Sequence, residues 1–432
     1  MNMIKIISLI VGIILITASA FIILNFDTEN ESKSDSSTIP SDENENNPPV
    51  GTSISFNEAV NDFSFDFFEK LYEDPENSGN IFFSPYSVFV ALAMTYEGAR
   101  GDTAEEMENV LSIEQDNESF HEYMQSLYTY LNEDAEFDIS TANAIWPRFD
   151  YELLDEYISI IEEIYGGKLE ELDYNKPQEA ADTINQWVED QTNGLIKDLV
   201  PVDAITPLTM LILTNAIYFK GTWLVQFEQE NTTDKGFLTD EDEIIQVPTM
   251  TMLETENNFN YTETEDMQIL ELQYAGDDLS MMIMLPKDGK ELSTIVPDLD
   301  KDTYNDIVDS MTPEKVEIYL PKFTFKTSYN LNDYLKQLGM STAFTTSADF
   351  SGINGIPDLY ISKVLHKAHV EVNEEGTEAA AATAIIMERL SIDDPDEPQK
   401  IIFDADHPFL FTIHHKPTGT ILFMGEVTNP IE

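Results

Sequence analysis

The chain has 432 residues, 42% of them apolar and 11% aromatic, enough for one large core or for two ordinary domains. It contains no cysteine, which excludes disulfides, thiolate nucleophiles and cysteine-ligated metals. Its 82 acidic and 22 basic residues give a net charge of -60, so DNA, RNA, heparin-like polyanions and anionic membrane surfaces are repelled.

The acid is spread along the chain and reads as a solvated surface. An excess this large fits a salt-adapted prokaryote, because high salt screens self-repulsion within a few ångströms. Residues 6–24 carry no charge and follow one basic residue, Lys5. They are just long enough to span a bilayer as a helix, which takes about 20 residues. Ala18-Ser19-Ala20 fits the small-x-small pattern ahead of signal cleavage, whereas Phe21, Ile22, Ile23 and Leu24 continue the apolar run as an uncleaved anchor would. Residues 1–26 are therefore expected to be a signal peptide or membrane anchor. The rest of the chain is then secreted or held on the outer face of the membrane. Residues 27–51, rich in Asp, Glu, Asn and Ser and carrying Pro48-Pro49, are expected to be a disordered acidic tether.

The folded part begins near Ser53. Helical periodicity marks residues 57–72, 88–94, 151–166 and 178–197. Short apolar runs bounded by turn residues mark strands over 210–219, 279–285 and 316–325. Helices come first and strands dominate the second half, which predicts an α+β fold and not alternating βαβ units. Glycosylation sequons stand at Asn117, Asn231 and Asn260.

Nothing in the chain supports catalysis. The six histidines are His121, His366, His369, His407, His414 and His415. His121 lacks the second histidine of a zincin helix. His414 and His415 are neighbours in a strand-like segment, so they point to opposite faces and cannot share one metal. No nucleophile elbow and no phosphate-binding glycine loop is present. The protein is expected not to be an enzyme and to hold neither metal nor cofactor.

The most informative run is Glu374, Glu375, Gly376, Thr377, Glu378, Ala379, Ala380, Ala381, Ala382 and Thr383. By propensity alone Thr377 caps a helix that runs to Leu390. Alternate residues tell another story. Thr377, Ala379, Ala381, Thr383, Ile385 and Met387 form a period-two stripe with no charge, able to slide into an existing sheet.

That run resembles the hinge of the reactive-centre loop of inhibitory serpins. Further motifs carry the resemblance over about residues 52–432. They are 82–87 (Phe-Phe-Ser-Pro-Tyr-Ser), 96–101 (Tyr-Glu-Gly-Ala-Arg-Gly), 214–223 (Thr-Asn-Ala-Ile-Tyr-Phe-Lys-Gly-Thr-Trp), 364–368 (Val-Leu-His-Lys-Ala), 406–411 (Asp-His-Pro-Phe-Leu-Phe) and 423–430 (Phe-Met-Gly-Glu-Val-Thr-Asn-Pro). The resemblance implies a serpin fold of the α+β class: a helical N-terminal part packed on three β-sheets, with an exposed reactive-centre loop at about 374–402. It also implies a monomeric suicide inhibitor that traps a serine protease by inserting the cut loop into the central sheet. The family's spacing places the reactive bond at Leu390–Ser391. Leu390 suits chymotrypsin-like or subtilisin-like enzymes, while the competing Arg389 suits trypsin-like ones. Ser84, Ser87, Asn215 and His366 match the cluster beneath the parting sheet, and Trp223 matches the tryptophan where the incoming strand enters. The chain is longer than is typical between Ser391 and Pro408, through the acidic insertion 393–398. The alternative within the family is a non-inhibitory carrier or chaperone-like member, whose hinge often holds bulky, charged or proline residues.

Overall fold

The computed structural model describes residues 53–113, 117–131, 138–253, 257–377 and 400–431. The expectations for residues 1–26 and 27–51 lie outside the described residues. Elements are numbered here in chain order. The longer helices are α1 (Ser53–Glu73), α2 (Pro85–Tyr96), α3 (Gly101–Leu111), α4 (Asn117–Thr129), α5 (Asp155–Glu163), α6 (Pro177–Gln191) and α7 (Lys301–Ser310). Among the described residues no helix is long and apolar enough to cross a membrane.

Helix α2 shows how sequence sets position. Ser84 caps it by accepting the Ser87 N–H, and Pro85 occupies its first turn. Every residue from Pro85 to Tyr96 is buried, so α2 is a central post and not a surface helix.

It packs against β17 (Thr420–Val427) of one sheet and against β2 (Asp138–Pro147) and β4 (Leu211–Thr222) of another, and the fold has three sheets in all. The largest joins β1 (Ile81–Phe83), β17 (Thr420–Val427), β16 (Phe409–His415), β9 (Leu279–Pro286), β8 (Met267–Gln273), β7 (Phe259–Glu263) and β10 (Thr312–Glu314), in that order. A four-stranded sheet runs β15 (Ile401–Asp404), β11 (Val316–Pro321), β6 (Ile244–Met252) and β5 (Thr233–Leu238). The central sheet runs β12 (Phe323–Asn330), β13 (Ile361–Asn373), β14 (Gly376–Thr377), β4 (Leu211–Thr222), β2 (Asp138–Pro147) and β3 (Lys168–Leu169). Helices with three sheets agree with the expected α+β serpin fold.

Some expected elements change length. The predicted helix over 178–197 stops at Gln191, because Asn193 and Gly194 take positive φ and the Thr192 hydroxyl bonds both the Val188 carbonyl and the Ile196 N–H. The helix expected over 151–166 shortens to Asp155–Glu163. The single strand expected over 316–325 is two strands, β11 and β12, in different sheets. The break falls at Lys322, whose N–H still bonds the Pro248 carbonyl of β6, while Phe323 begins the pairing with β13 opposite Val372.

Helix α6 lies on the central sheet over a bed of small and medium side chains: Ala142, Ala144, Ile212, Ala216 and Leu365. Trp187 of α6 meets Trp146 of β2 edge to face, 5.5 Å between centroids.

Strand β15 receives the chain returning from residues 378–399. It pairs in parallel with β11, Val316 opposite Ile401 through Tyr319 opposite Asp404. Lys235 of β5 reaches Asp404 at 2.7 Å and lies over the Tyr319 ring, 3.8 Å from its centroid. Lys400 pairs with Glu317 at 2.9 Å.

Candidate functional site

The site is a fork in the central sheet. Over most of their length β13 and β4 pair directly and in parallel, from Ile361 opposite Leu211 to His369 opposite Tyr218. Beyond that the chain doubles back and β14 lies between them. Thr377 pairs with Val372 on one side and Gly221 on the other, and Gly376 with Asn373 and Thr222. Thr377 is thus a strand residue and not a helix cap. It is 1% exposed, and its hydroxyl meets the Tyr274 hydroxyl at 2.8 Å. Burial pushes the Tyr274 phenol up, so that group stays neutral and able to donate.

Gly376 is required where it stands. Its φ is +151°, and a Cβ would come within 2.0 Å of the Gly221 carbonyl oxygen. Only glycine lets the backbone squeeze between two paired strands here.

The turn before β14 is fastened on every side. The Trp223 N–H donates to the Glu375 carbonyl, the Phe227 N–H to the Glu374 carbonyl, and the Trp223 indole to the Asn373 carbonyl. Trp223 stacks on Tyr274, 4.5 Å between centroids. The Glu374 carboxylate accepts from Lys322 at 2.7 Å and from Thr232 at 2.8 Å. Burial raises its pKa, yet the Lys322, backbone and Thr232 bonds win and hold it below the ordinary glutamate value.

A second cluster sits under the paired part of the fork. His366 Nε2 accepts the Ser84 N–H at 3.2 Å, so its proton is on Nδ1, which donates to Asn215 Oδ1. The Asn215 amide donates to Ser87 Oγ and Asn143 Oδ1, and Ser87 Oγ donates to Asn143 Oδ1 at 3.1 Å. The Ser84 hydroxyl donates to the Leu422 carbonyl. One network therefore ties α2, β2, β4, β13 and β17, and it includes one residue from each of the paired strands β13 and β4.

Burial drives the His366 pKa down to about 3. Protonating Nε2 would also destroy its role as acceptor for Ser84. The native state thus keeps His366 neutral while the unfolded chain protonates near pH 6.5. The stability this group contributes is complete above pH 6.5 and is lost as pH falls toward 3. His366→Gln, which cannot be protonated, should flatten the acid limb. Urea midpoints converted to free energies should converge by about 1.4 kcal/mol per pH unit between the two proteins below pH 6.5. Parallel curves would count against the assignment.

The structure brings Ser84, Ser87, Asn215 and His366 together and places Trp223 apart from them, at the hinge. Glu374, Glu375, Gly376 and Thr377 form the turn and the inserted pair. Glu378, Ala379, Ala380, Ala381, Ala382, Thr383, Arg389, Leu390 and Ser391 lie outside the described residues. Sequence reasoning missed Asn143, Lys322, Thr232 and Tyr274. No local spacing links them to the hinge or to the cluster, because each arrives from another strand or turn. Of the sequon residues, Asn231 is exposed, while the Asn260 amide is held by the buried Glu271 carboxylate. His414 and His415 do part to different partners, Ser280 and Tyr304 for the first and Thr418 for the second. Among the described residues no group of three or more His, Asp or Glu is arranged to hold a metal.

The family model described as Serpin (serine protease inhibitor) matches residues 58–430. An uncharacterized serpin-like protein of Thermococcus kodakarensis is 44% identical, over 86% of this chain and 85% of its own. The leukocyte elastase inhibitor of Bos taurus is 39% identical, over 85% of this chain and 97% of its own. Human thyroxine-binding globulin complexed with thyroxine superposes with a TM-score of 0.79 at 27% identity, over 88% of this chain and 100% of its own. A match that spans the fork, the buried cluster and the C-terminal strands alike leaves one conclusion: the chain belongs to the serpin family.

Proposed function

We propose that this serpin is an exported suicide inhibitor of serine proteases. The observation that carries the reading is the pair Gly376–Thr377, seated between β13 and β4 with the rest of the two strands still joined below. A strand already started is a track for the residues that follow, and Ala379, Ala381 and Thr383 continue it with small uncharged side chains.

The chemistry follows from the position of the bond. The protease serine attacks the carbonyl carbon of Leu390, the amine of Ser391 leaves, and an ester joins the two proteins. The freed segment then enters the sheet and carries the enzyme away from its docking site. Pulling the ester out of the oxyanion hole removes the donors that deacylation needs. Ladder hydrogen bonds and burial of one more strand drive the move, so the uncut fold is held kinetically. Leu390 favours chymotrypsin-like and subtilisin-like targets.

Incubation with subtilisin or chymotrypsin, followed by a denaturing gel, tests the reading. An inhibitor gives a covalent complex that survives detergent. Cleavage without complex would instead favour the carrier reading, which the likeness to thyroxine-binding globulin keeps in view. A second measurement needs no enzyme complex. Nicking the chain beside Leu390 should raise the thermal denaturation midpoint sharply, by tens of degrees on the order of what separates mesophilic from hyperstable domains. An unchanged midpoint would mean that no energy is stored.

A further inference from the structure

Helix α4 meets a buried carboxylate. Glu97 follows α2, and its side chain is 7% exposed. Its Oε1 accepts from the Tyr165 hydroxyl and from His121 Nε2, each at 2.7 Å. His121 lies in α4 and Tyr165 just after α5, so this one oxygen gathers three elements. The His121 and Tyr165 rings meet edge to face, 6.3 Å between centroids. A carboxylate only accepts, so Nε2 carries a proton, and the charge of the ring is decided at Nδ1. The His121 side chain is 23% exposed, which lets water reach it while the acceptor stays buried.

Among the described residues no other cation pairs with the Glu97 carboxylate. Arg100 turns its guanidinium to the main-chain carbonyls of Glu97 and Ala99. The other ionisable groups around the junction are engaged elsewhere. Glu108 of α3 accepts from the Tyr96 hydroxyl at 2.6 Å, and the Tyr157 hydroxyl of α5 donates to the Met94 carbonyl at 3.0 Å. Tyr128, two turns along α4 from His121, lies against Gly166. Glu122 of α4 and Glu162 and Glu163 of α5 are exposed. Burial keeps the Tyr165 phenol protonated, and the Glu97 charge adds to that. The bond to Glu97 lifts the His121 pKa above its ordinary value, and partial burial offsets only part of the rise. The contribution of the pair is therefore complete below pH 6.5 and is lost as pH climbs through the raised value.

A second kind of contact also holds α4. Phe120, Tyr123, Met124 and Leu127 are buried, and the Phe120 ring rests on Phe56 of α1 and Phe89 of α2, at 5.3 and 6.4 Å. That apolar seat does not change near neutral pH. We infer that His121 and Glu97 form a proton-operated catch on α4. Closed, the catch is an ion pair. Once Nδ1 loses its proton, a neutral histidine faces a buried carboxylate, and α4 opens more often on its apolar seat. The inference does not depend on the inhibitor reading.

Hydrogen exchange of the α4 amides over 120–127, set against the α6 amides of the same sample from pH 5.5 to 8.5, tests the catch. Helix α6 contains no histidine, so the ratio of the two helices cancels the pH dependence of exchange itself. In the wild-type protein the protection of α4 relative to α6 should fall as pH rises. The total fall should be about tenfold for each unit by which pairing has raised the His121 pKa. His121→Gln keeps a neutral donor for Glu97 and should give a ratio that does not change with pH. A titration of the His121 ring by NMR reads the same catch directly. Its midpoint should lie above 6.5 in the wild-type protein and at or below 6.5 in Glu97→Gln. The wild-type midpoint decides the question alone if either variant fails to fold. A wild-type ratio that stays flat across the range overturns the catch. So does a pH-dependent ratio that survives in His121→Gln, or a His121 midpoint at or below 6.5 in the wild-type protein.

Discussion

If the protein is the suicide inhibitor proposed above, Thr377→Arg should turn it into a substrate that is cleaved and released. Thr377 is enclosed by β13, β4 and the Tyr274 hydroxyl, with no carboxylate among its described hydrogen-bond partners. An arginine there either stays outside the sheet or buries an unpaired charge, and the second course costs several kcal/mol. Insertion must outrun hydrolysis of the ester. A barrier raised by about 3 kcal/mol slows it roughly 100-fold, enough for water to win nearly every time. The expected gel shows the full-length chain converted to the cut form with little or no complex. Thr377→Ser, which keeps the hydroxyl facing Tyr274, should trap enzyme as wild type does. Full trapping by the arginine variant would refute the insertion mechanism.

The second large effect concerns the fastening of the hinge. Lys322→Met removes the only cation that the described residues place on the Glu374 carboxylate, whose side chain is 6% exposed, and leaves Thr232 as its side-chain donor among them. Breaking a fully buried pair costs about 3–5 kcal/mol. Lys322 is about a third exposed, so water compensates part of the loss and about 2 kcal/mol is expected. For a chain of this length that lowers the denaturation midpoint by about 2–3 °C. The double variant Lys322→Met with Glu374→Gln should recover most of it, because no charge is then stranded. The native Glu374 pKa lies below its unfolded value, so this contribution is present above about pH 4.5 and is lost as pH falls below it. The single and double variants should therefore converge in acid. If the double variant is no better than Lys322→Met, the pair does not hold the hinge.

These two variants also mark what could be read in the chain and what could not. The start of the hinge was legible: Gly376 and Thr377, a glycine followed by a small uncharged residue, sit between β13 and β4, while the rest of the alternating stripe lies outside the described residues. The buried cluster was partly legible. Ser84, Ser87, Asn215 and His366 stand inside recognisable motifs, whereas Asn143 sits in β2 amid a stretch with no distinguishing neighbours. Glu374 was named with the hinge, but its pairing with Lys322 was out of reach. With 82 acidic and 22 basic residues, no spacing rule singles out one pair, and the strands that bring them together are adjacent only after folding. The split of 316–325 was hidden for a related reason. Apolar alternation changes phase at Pro321 and Lys322, from Val316, Ile318 and Leu320 to Phe323 and Phe325, a break that reading the segment as one apolar run passes over, and the sheet to which each half belongs is decided by partners elsewhere.

The clasp on β15 has one more consequence. If the protein is the inhibitor proposed above, insertion of an uncut chain beyond Gly376–Thr377 would require β15 to leave β11 first. On that reading Lys235–Asp404 and Lys400–Glu317 would set how long the uncut molecule keeps its starting form. Their lysines are 31% and 50% exposed, open enough for dissolved ions to weaken both pairs. On the inhibitor reading, raised salt would then shorten the life of the uncut form by loosening these two pairs, whatever it does to the stability of the fold as a whole.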